Sequence, residues 1–362
     1  MDSKNAIKHK LQYIKSLDTL RGFAAIFVLL FHGSYGFFAG GWVGVDLFFV
    51  LSGYLITTLI YDEYLNFSTV SLSKFYIRRA FRLFPPLIMC VIIANLLWPF
   101  SNLQNSDRSL ATFASLFYFI NLIPGNLPGN MAHLWSLAVE EHFYIIWPVF
   151  TLFVLFKTSL RNKIIILISL ISVIEVFRII AYNYTIHLFN TNYIINPARF
   201  SFCRMDEILI GALMSFGLLQ SSIKKIKLSS LQASILLGIM LCLFLLILFK
   251  VDAASHYWNN GGFILTNLIC AFTVWLAIKV PDHYLFSSKV MNWFGKRSYG
   301  IYVYHFPIFL FMERFRHPHG IVNLLLITIL RFAISIGIAA VLYKYVEQPI
   351  LKLKKKYEPQ AQ

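Results

Sequence analysis

The chain contains repeated apolar runs of about 20 residues, the length that an α-helix needs to cross the hydrocarbon core of a bilayer. Hydrophobic residues make up 58% of the 362 residues, and charged residues only 13%. Because lipid offers the backbone no hydrogen-bonding partner, such segments must satisfy their own peptide groups as helices. The sequence therefore predicts an all-α fold, a polytopic transmembrane helical bundle, rather than a soluble domain with a large core.

The apolar runs predict ten spans within a single integral membrane domain that covers residues 1–362. The expected bounds are 19–38, 42–61, 85–101, 133–156, 164–184, 203–220, 229–249, 262–280, 299–315 and 322–344. With the N-terminus inside, 24 of the 32 lysines and arginines fall on the inner side, as the positive-inside rule requires. We therefore expect both termini to be cytoplasmic, with residues 345–362 as a short basic tail.

One further apolar run, LATFASLFYFINLIP at 110–124, is short and is bounded by Pro124. If it crossed the membrane, the basic residues Lys157, Arg161 and Lys163 would move to the outer side, against the same rule. We therefore predict that this segment is re-entrant or interfacial and lies on the outer side.

The net charge of +16 could indicate a nucleic-acid partner. The basic residues, however, form short clusters between apolar spans, as orientation signals in a membrane protein do. The four cysteines, Cys90, Cys203, Cys242 and Cys270, show no CxxC spacing. We therefore expect no nucleic acid and no metal site, and the cysteines should be buried apolar residues.

Arg21 and His32 lie eleven positions apart on the first apolar run, LDTLRGFAAIFVLLFHGSYGFF. Eleven residues turn a helix about 20° past three full turns and rise about 16 Å, so both side chains should share one face. Arg21 can then stay near a membrane surface while His32 sits near mid-bilayer. An ionisable group at that depth indicates a functional site, and a histidine can pass a proton in either direction.

Asp46 lies about 6 Å inside the second span, in the run GGWVGVDLFFVLSGYLI. A tight glycine-containing turn joins the first two spans, which brings Asp46 close to the level of His32. An aspartate that faces a histidine can fix its tautomer and stabilise its protonated form. The alternative is that Asp46 caps the outer end of its span or pairs with a nearby arginine.

Arg78, Arg79 and Arg82 form a basic cluster in SKFYIRRAFRLFPP, after which Pro85 and Pro86 should begin the third span. Arg78 and Arg82 are expected to share a helical face. Planar guanidinium groups suit bidentate binding of phosphates, such as the pyrophosphate of a nucleotide-like cofactor. The alternative is a positive-inside anchor that touches anionic lipid.

Carboxylates also occur close to the expected outer surface. The fourth span begins HLWSLAVEEHFYIIWP, which places Glu140 and Glu141 about 9 Å below that surface, where they must pair or become neutral. A structural ion pair and a catalytic role both fit them. Arg204 and Asp206, at the start of the sixth span, are either functional or ordinary boundary residues.

The ninth span, RSYGIYVYHFPIFLF, carries Tyr299, Tyr302 and His305 at intervals of three residues. These side chains should line one stripe about 10 Å from the cytoplasmic face. Pro307 then loosens or bends the helix beside His305.

Together these motifs resemble the acyltransferase-3 family of integral membrane acyltransferases, from LDTLRGFAAIFVLLFH to YKYVEQP. The strongest pieces are the pair Arg21 and His32, and the runs GVDLFFVLSGYLI, FYIRRAFRLFPP, LWSLAVEEHFY and SYGIYVYHFPI. The resemblance implies a multi-pass bacterial cell-membrane protein that moves an acyl group, commonly acetyl from acetyl-CoA, to a hydroxyl of a surface glycan or its lipid-linked precursor. Lipopolysaccharide O-antigen is the expected kind of acceptor.

The resemblance also implies that Arg21 and His32 are essential, that the cluster of Arg78, Arg79 and Arg82 helps hold CoA, and that Glu140 and Tyr144 have a role. Combined with the residue patterns above, it leads to the following hypothesis for the site. The expected catalytic residues are Arg21 and His32, with Asp46 or Glu140 to orient His32. The expected donor site holds the phosphates of acetyl-CoA and lets its thioester pass toward His32, through Arg78, Arg79, Arg82, Tyr302 and His305. The expected acceptor-binding residues are Trp135, Ser136, Tyr144, Arg204 and Asp206.

The chain departs from the family pattern at two points. His142 stands where the family usually has glutamine, so no role is transferred to it. Larger members append an extracytoplasmic SGNH hydrolase-like domain, which is not evident in this sequence. We expect either direct delivery of the acyl group to the acceptor or completion by a separate extracytoplasmic partner.

The alternative from another class of protein is a transporter or proton-coupled permease, since buried His, Glu, Asp and Arg residues also form proton relays. Such proteins are commonly built from inverted repeats with broken helices in matching halves, and the sequence shows neither feature. The acyltransferase interpretation is therefore favoured.

Overall fold

The computed structural model describes residues 13–101, 107–184, 186, 194–216, 226–252, 255, 258–316 and 320–357. Its helices are α1 Lys15–Gly33, α2 Val43–Phe67, α3 Leu72–Leu97, α4 Arg108–Leu116, α5 Trp135–Phe153, α6 Leu160–Asn183, α7 Asp206–Ser215, α8 Ser230–Lys250, α9 Phe263–Lys279, α10 Lys289–Met312, α11 Ile321–Leu342 and α12 Gln348–Leu353. Each predicted span overlaps one of these helices. The predicted all-α transmembrane bundle is confirmed.

Eight helices in the described part of the chain are long and apolar enough to cross a membrane. The other two predicted spans correspond to α7, of which ten residues are described, and α10, which carries Lys289, Lys296 and Arg297 in its first half. Residues 217–220 of the predicted sixth span and 358–362 of the predicted tail lie outside the described residues. The number of spans and the side of each terminus stay predictions.

The apolar segment at 110–124 does not form a helix of membrane length. Its first part belongs to α4, a helix of nine residues, and a short 3-10 turn follows at Ile120–Leu122. Between them Tyr118 has a positive φ of 57°, which breaks the helix. The segment is therefore too short to cross the bilayer, as predicted, and its position on the outer side stays a prediction.

Helix α3 begins at Leu72 and continues through Pro85 and Pro86. The prediction that these prolines begin the third span is therefore wrong. Each proline removes a helical hydrogen bond, and the hydroxyl of Tyr299 donates to the carbonyl oxygen of Leu83 just before them, at 3.1 Å. As a result, the arginine cluster lies on the same continuous helix as the third span.

Helices α1 and α10 run parallel and in contact along most of their length. Three hydrogen bonds join them in the same order along both helices: Asn292 to the Lys15 carbonyl at 3.3 Å, Arg21 to Ser298 at 3.3 Å, and His32 with His305 at 3.1 Å. The pair therefore holds one row of polar partners that extends from Lys15 to His32.

Glycines let the backbones of α1 and α10 touch. A Cβ on Gly22 would overlap the carbonyl oxygen of Met291, and a Cβ on Gly295 would overlap that of Asp18. Small residues are the usual means of close helix packing in membranes. The contact fixes the register that places each polar residue of α1 opposite its partner on α10.

Other helix pairs run in the directions that an alternating path through a membrane requires. α2 is parallel to α5, and α3 is parallel to α10, because successive contacts advance along both helices of each pair together. These contacts join Ser52 to Tyr144, Thr57 to Trp147, Leu83 to Tyr299 and Cys90 to Val303. The second and fourth predicted spans therefore cross in one direction, and the third and ninth also share a direction.

We predict that Gly295→Ala destabilises the fold, because the added methyl group meets the Asp18 carbonyl and pushes α1 away from α10. Overpacking of this kind costs roughly 1–3 kcal/mol, which should lower the thermal unfolding midpoint of the protein in detergent. Gly337→Ala on α11 is the matched control, since a Cβ there meets nothing within 4 Å. Equal midpoints for the two variants would contradict the close approach of the two helices.

Candidate active site

A cavity lies between α1, α2, α3, α5 and α10 and contains about 590 Å³ of unfilled space, part of it open to the outside. Half of the residues that the sequence predicts for the site line this cavity. They are Arg21, Arg79, Arg82, Ser136, Glu140, Tyr144 and Tyr302. The structure thus joins residues from the expected catalytic, donor and acceptor groups in one place, and adds Ser52 and Ser298, for which the sequence predicted no role.

One end of the cavity is basic. Arg79 and Arg82, one helical turn apart on α3, face it together with Arg21 of α1. Arg21 donates to Ser298 at 3.3 Å, and the guanidinium of Arg79 stacks 3.6 Å above the centre of the Tyr144 ring. Three guanidinium groups from two helices therefore point into one space.

Arg78 does not line the cavity. Its guanidinium pairs with Glu63 at 3.0 Å and donates to the carbonyl oxygen of Tyr357 at 2.8 Å. The expectation that Arg78 and Arg82 share the binding face is corrected, because on the continuous helix α3 it is Arg79 that faces the cavity with Arg82. Arg78 instead ties α3 to the end of α2 and to the C-terminal segment.

Away from the arginines, the cavity is lined by Tyr302 and Ser136, whose hydroxyl groups hydrogen-bond to each other. Tyr302 also donates to the carbonyl oxygen of His133 at 2.8 Å. Ser298 and Tyr302 are four residues apart on α10, which corresponds to about 6 Å along the helix axis. The Tyr302–Ser136 pair therefore stands between the basic end and the histidines beyond it.

Three histidines cluster on the far side of Tyr302. His32 Nδ1 lies 3.1 Å from His305 Nε2, and the ring centres of His305 and His133 are 5.2 Å apart. The centre of the His305 ring is 5.7 Å from that of Tyr302. Neither His32 nor His305 lines the cavity itself, and Tyr302 is a cavity-lining residue whose ring packs against His305.

The hydrogen bonds of the cluster define its tautomers. A carbonyl oxygen can only accept, so His305 Nδ1 donates to the Tyr302 carbonyl, and its Nε2 carries a lone pair. His32 Nδ1 donates to the Val28 carbonyl at 3.2 Å and to that lone pair. The Nε2 atom of neutral His32 is therefore the unprotonated one, as a general base requires.

His133 was missed by the sequence analysis, although it precedes Trp135 in the motif that begins the fourth span. It lies in the 3-10 turn Gly129–Leu134, where its side chain is buried and its Nε2 atom donates to the Val303 carbonyl at 3.0 Å. Its Nδ1 atom has no hydrogen-bond partner among the described residues. A histidine placed directly before a span that carries two glutamates is the signal that could have found it.

Asp46 does not contact His32. It pairs with Arg204, which also lies 3.0 Å from Glu207. The expectation that Asp46 orients His32 is therefore corrected in favour of the arginine pairing that the sequence left open. The physical reason is that a buried carboxylate needs a full opposite charge, which Arg204 supplies and a neutral histidine does not.

The predicted acceptor residues Arg204 and Asp206 belong to this same buried cluster. Asp206 pairs with Arg178 at 2.8 Å and accepts from Asn267 at 3.0 Å. The ring of Trp135 packs under Arg204, with its centre 5.5 Å away. None of these three predicted residues lines the cavity, and the cluster instead joins α2, α6, α7 and α9.

Glu140 lies at the basic end of the cavity with Arg79 and Arg82, and no contact places it next to His32. The expectation that it orients His32 is therefore corrected, since it belongs with the arginines. Its neighbour Glu141 has a buried Oε1 atom with no hydrogen-bond partner among the described residues. His142 Nδ1 lies 2.6 Å from the hydroxyl of Ser201, outside the cavity.

The described residues contain no group of three His, Cys, Asp or Glu side chains that could hold a metal ion. This includes the three clustered histidines. Of the cysteines, three are buried as expected, whereas Cys242 is exposed on α8.

Comparison with known proteins identifies a matching protein family. The profile of the acyltransferase-3 family, described as an acyltransferase domain, matches residues 14–344. No solved structure matches the chain.

Three curated bacterial relatives match nearly all of the chain. It is 31% identical to the O-acetyltransferase OatA of Staphylococcus aureus, over 94% of this chain and 58% of that protein. It is 28% identical to the peptidoglycan O-acetyltransferase OatA of Listeria monocytogenes, over 96% and 57%. A putative O-acetyltransferase of Staphylococcus aureus is 27% identical, over 95% and 58%. The chain thus spans a little under three fifths of the length of these relatives.

We predict that Asp46→Asn acts mainly on stability, because it removes one of the two carboxylates that pair with buried Arg204 and leaves that guanidinium with Glu207 alone. Since one charged partner remains, the cost should be below the roughly 3–5 kcal/mol of an orphaned buried charge, but the thermal midpoint should still fall below that of Asp282→Asn, a control at an exposed position. Unchanged stability combined with lost transfer would instead give Asp46 a role in the reaction.

Proposed function

The chain belongs to the acyltransferase-3 family, and we propose that it moves an acetyl group from cytoplasmic acetyl-CoA to a hydroxyl of a cell-wall glycan. The observation that supports this most is the order of groups along one path. A cavity with three arginines at one end leads, past Tyr302, to a histidine whose free Nε2 atom can act as a base. Such a path suits a donor that has an anionic end and a reactive end.

Charge supports CoA as the donor. Arg21, Arg79 and Arg82 bring three positive charges to the cavity, and Glu140 brings one negative charge. The excess of two matches the two negative charges of a pyrophosphate. Arginine also offers paired donors in a plane that fits phosphate oxygens. We therefore assign the phosphates of CoA to the Arg21, Arg79 and Arg82 end.

The separation of Arg21 from His32 supports the same assignment. Arg21 and His32 are eleven residues apart on α1, or about 16 Å along the helix axis. The pantetheine arm between the phosphates and the sulfur is about as long as four extended peptide units, or roughly 14 Å. With its phosphates at the arginines, the arm can bring the thioester to the histidines once the Tyr302 side chain turns aside.

His32 is positioned to perform both proton transfers. In direct transfer, Nε2 removes the proton of the acceptor hydroxyl, whose oxygen attacks the thioester carbon. The carbon–sulfur bond breaks, and Nε2 returns the proton to the CoA thiolate. His32 lies in the last turn of α1, where the helix dipole favours a positive charge. An acyl-histidine intermediate on the same atom is the alternative course of the reaction.

His305 takes the orienting role that the sequence analysis gave to Asp46. Its Nε2 lone pair receives the Nδ1 proton of His32 and keeps the opposite ring nitrogen free. The acceptor is expected to approach His32 from the outer side. Because one relative is named a peptidoglycan O-acetyltransferase, we propose a peptidoglycan-type acceptor in place of the O-antigen expected earlier.

We predict that His32→Ala abolishes acetyl transfer while acetyl-CoA still binds.

His305→Leu should lower kcat by about 100-fold, because it frees His32 to adopt the wrong tautomer. His305→Gln should retain part of the activity, since its amide oxygen can accept the Nδ1 proton of His32. The measurement is transfer of radiolabelled acetyl to a glycan acceptor in nanodiscs, and equal loss in the Leu and Gln variants would remove the orienting role.

We predict that Arg82→Lys weakens acetyl-CoA binding, because lysine lacks the planar guanidinium group that donates two parallel hydrogen bonds to phosphate. A lost charge-assisted hydrogen bond costs on the order of 1.5–3 kcal/mol, or roughly 10- to 150-fold in Kd. Arg78→Lys is the matched control, since Arg78 faces Glu63 outside the cavity. The measurement is equilibrium binding of acetyl-CoA in nanodiscs. Wild-type affinity in both variants would indicate that the cluster is only a membrane anchor.

A further inference from the structure

A second group of arginines lies near the C-terminal end of α1. These arginines contact Tyr35, which follows His32 by three residues. Tyr35 adopts a left-handed backbone conformation there, with φ of 54°. Its ring packs against two guanidinium groups, those of Arg331 at 4.8 Å and Arg316 at 5.0 Å from the ring centre. We call Tyr35, Glu313, Arg316 and Arg331 the tyrosine clasp.

Arg331 is the buried member of the clasp and is only 2% exposed. It donates to the hydroxyl of Tyr35 and pairs with Glu313 at 2.9 Å, while its Nε atom has no partner among the described residues. It lies on α11 beside Phe332, which packs against Gly33, the neighbour of His32. A buried charge this close to the reactive histidine is costly and indicates function.

The clasp carries more positive than negative charge. Glu313 pairs with Arg331 through one carboxylate oxygen and with Arg316, at 2.9 Å, through the other. No other carboxylate in the described part of the chain pairs with either arginine. Two guanidinium groups thus share one carboxylate, and the side chains of Arg316 and Glu313 remain 42% and 37% exposed. One unit of positive charge is left to face an incoming ligand.

We propose that the tyrosine clasp binds a negatively charged group of the acceptor and so selects glycans that carry a carboxylate or a phosphate. This inference rests on the proposed function, because it places the acceptor at the end of α1 where His32 lies. Arg316 supplies the accessible charge. Arg331 and Tyr35 hold it at a fixed distance from His32, so that an anchored acceptor presents a hydroxyl to Nε2.

The chain offers a matched control. Arg314 has the same charge, lies two residues away and is exposed, but its guanidinium packs over the rings of Phe100, Phe311 and Phe315 rather than over Tyr35. A general attraction of anionic glycans to positive charge predicts equal effects at both positions. Binding in the clasp predicts an effect at Arg316 alone.

The test uses the full chain in nanodiscs, without acetyl-CoA, and measures equilibrium binding of three disaccharides. N-Acetylglucosaminyl-N-acetylmuramic acid carries a carboxylate, N,N′-diacetylchitobiose (below, chitobiose) is its neutral counterpart, and the 1-phosphate of that disaccharide carries a phosphate. For the wild type we expect both charged ligands to bind more tightly than chitobiose. Arg316→Gln should weaken the favoured charged ligand by roughly three- to tenfold, as expected for a partly exposed charge pair, and leave chitobiose unchanged.

Arg316→Lys should recover part of the lost affinity, and Arg314→Gln should behave as the wild type. The charged ligand that responds to Arg316→Gln identifies carboxylate or phosphate as the group bound. The proposal is overturned if the wild type shows no preference for charged ligands, or if Arg314→Gln has the same effect as Arg316→Gln. Because no donor is present, clasp binding can persist while acetyl transfer is absent, and that result would refute the proposed reaction alone.

Discussion

Backbone contact between α1 and α10 is the constraint on which the rest of the site depends. Gly22 and Gly295 bring the two parallel helices close enough for polar side chains of one helix to contact those of the other. That register places Arg21 beside Ser298 at one end and His32 beside His305 at the other. The basic and histidine ends of the path are thus two ends of one helix pair, and their separation is set by helix geometry rather than by loops.

The buried charges divide into two systems with different tasks. Arg178 and Arg204 pair with the carboxylates of Asp46, Glu175, Asp206 and Glu207, and these ion pairs tie together helices at the side of the cavity. Among the described residues, the three cavity arginines share a single lining carboxylate, that of Glu140. Arginines that are already paired with carboxylates hold the fold together, whereas arginines without such partners can bind an anion. This difference, more than the depth of a residue, separates structural from functional charge here.

The sequence predicted the helices well because each apolar run has the length of a bilayer, and it predicted the Arg21–His32 path because one helix fixes their spacing. It could not predict partners between helices. Depth alone put Asp46 level with His32, but which neighbour it meets depends on how α2 faces α7. Arg79 could not be told from Arg78, because both lie about one helical turn before Arg82, and only the contact of Arg78 with Glu63 in the folded protein separates them. His133 was missed because it lies in a 3-10 turn that shows no helical periodicity.

We propose that one molecule of acetyl-CoA reaches from the arginines to His32. A cryo-electron microscopy structure of the chain in nanodiscs with a non-hydrolysable thioether analogue of acetyl-CoA tests this directly. We expect phosphate density beside Arg21, Arg79 and Arg82, the Tyr302 side chain turned aside, and the acyl carbon next to His32 Nε2. Phosphates bound outside the cavity, or an acyl group that stays on the arginine side of Tyr302, would contradict it.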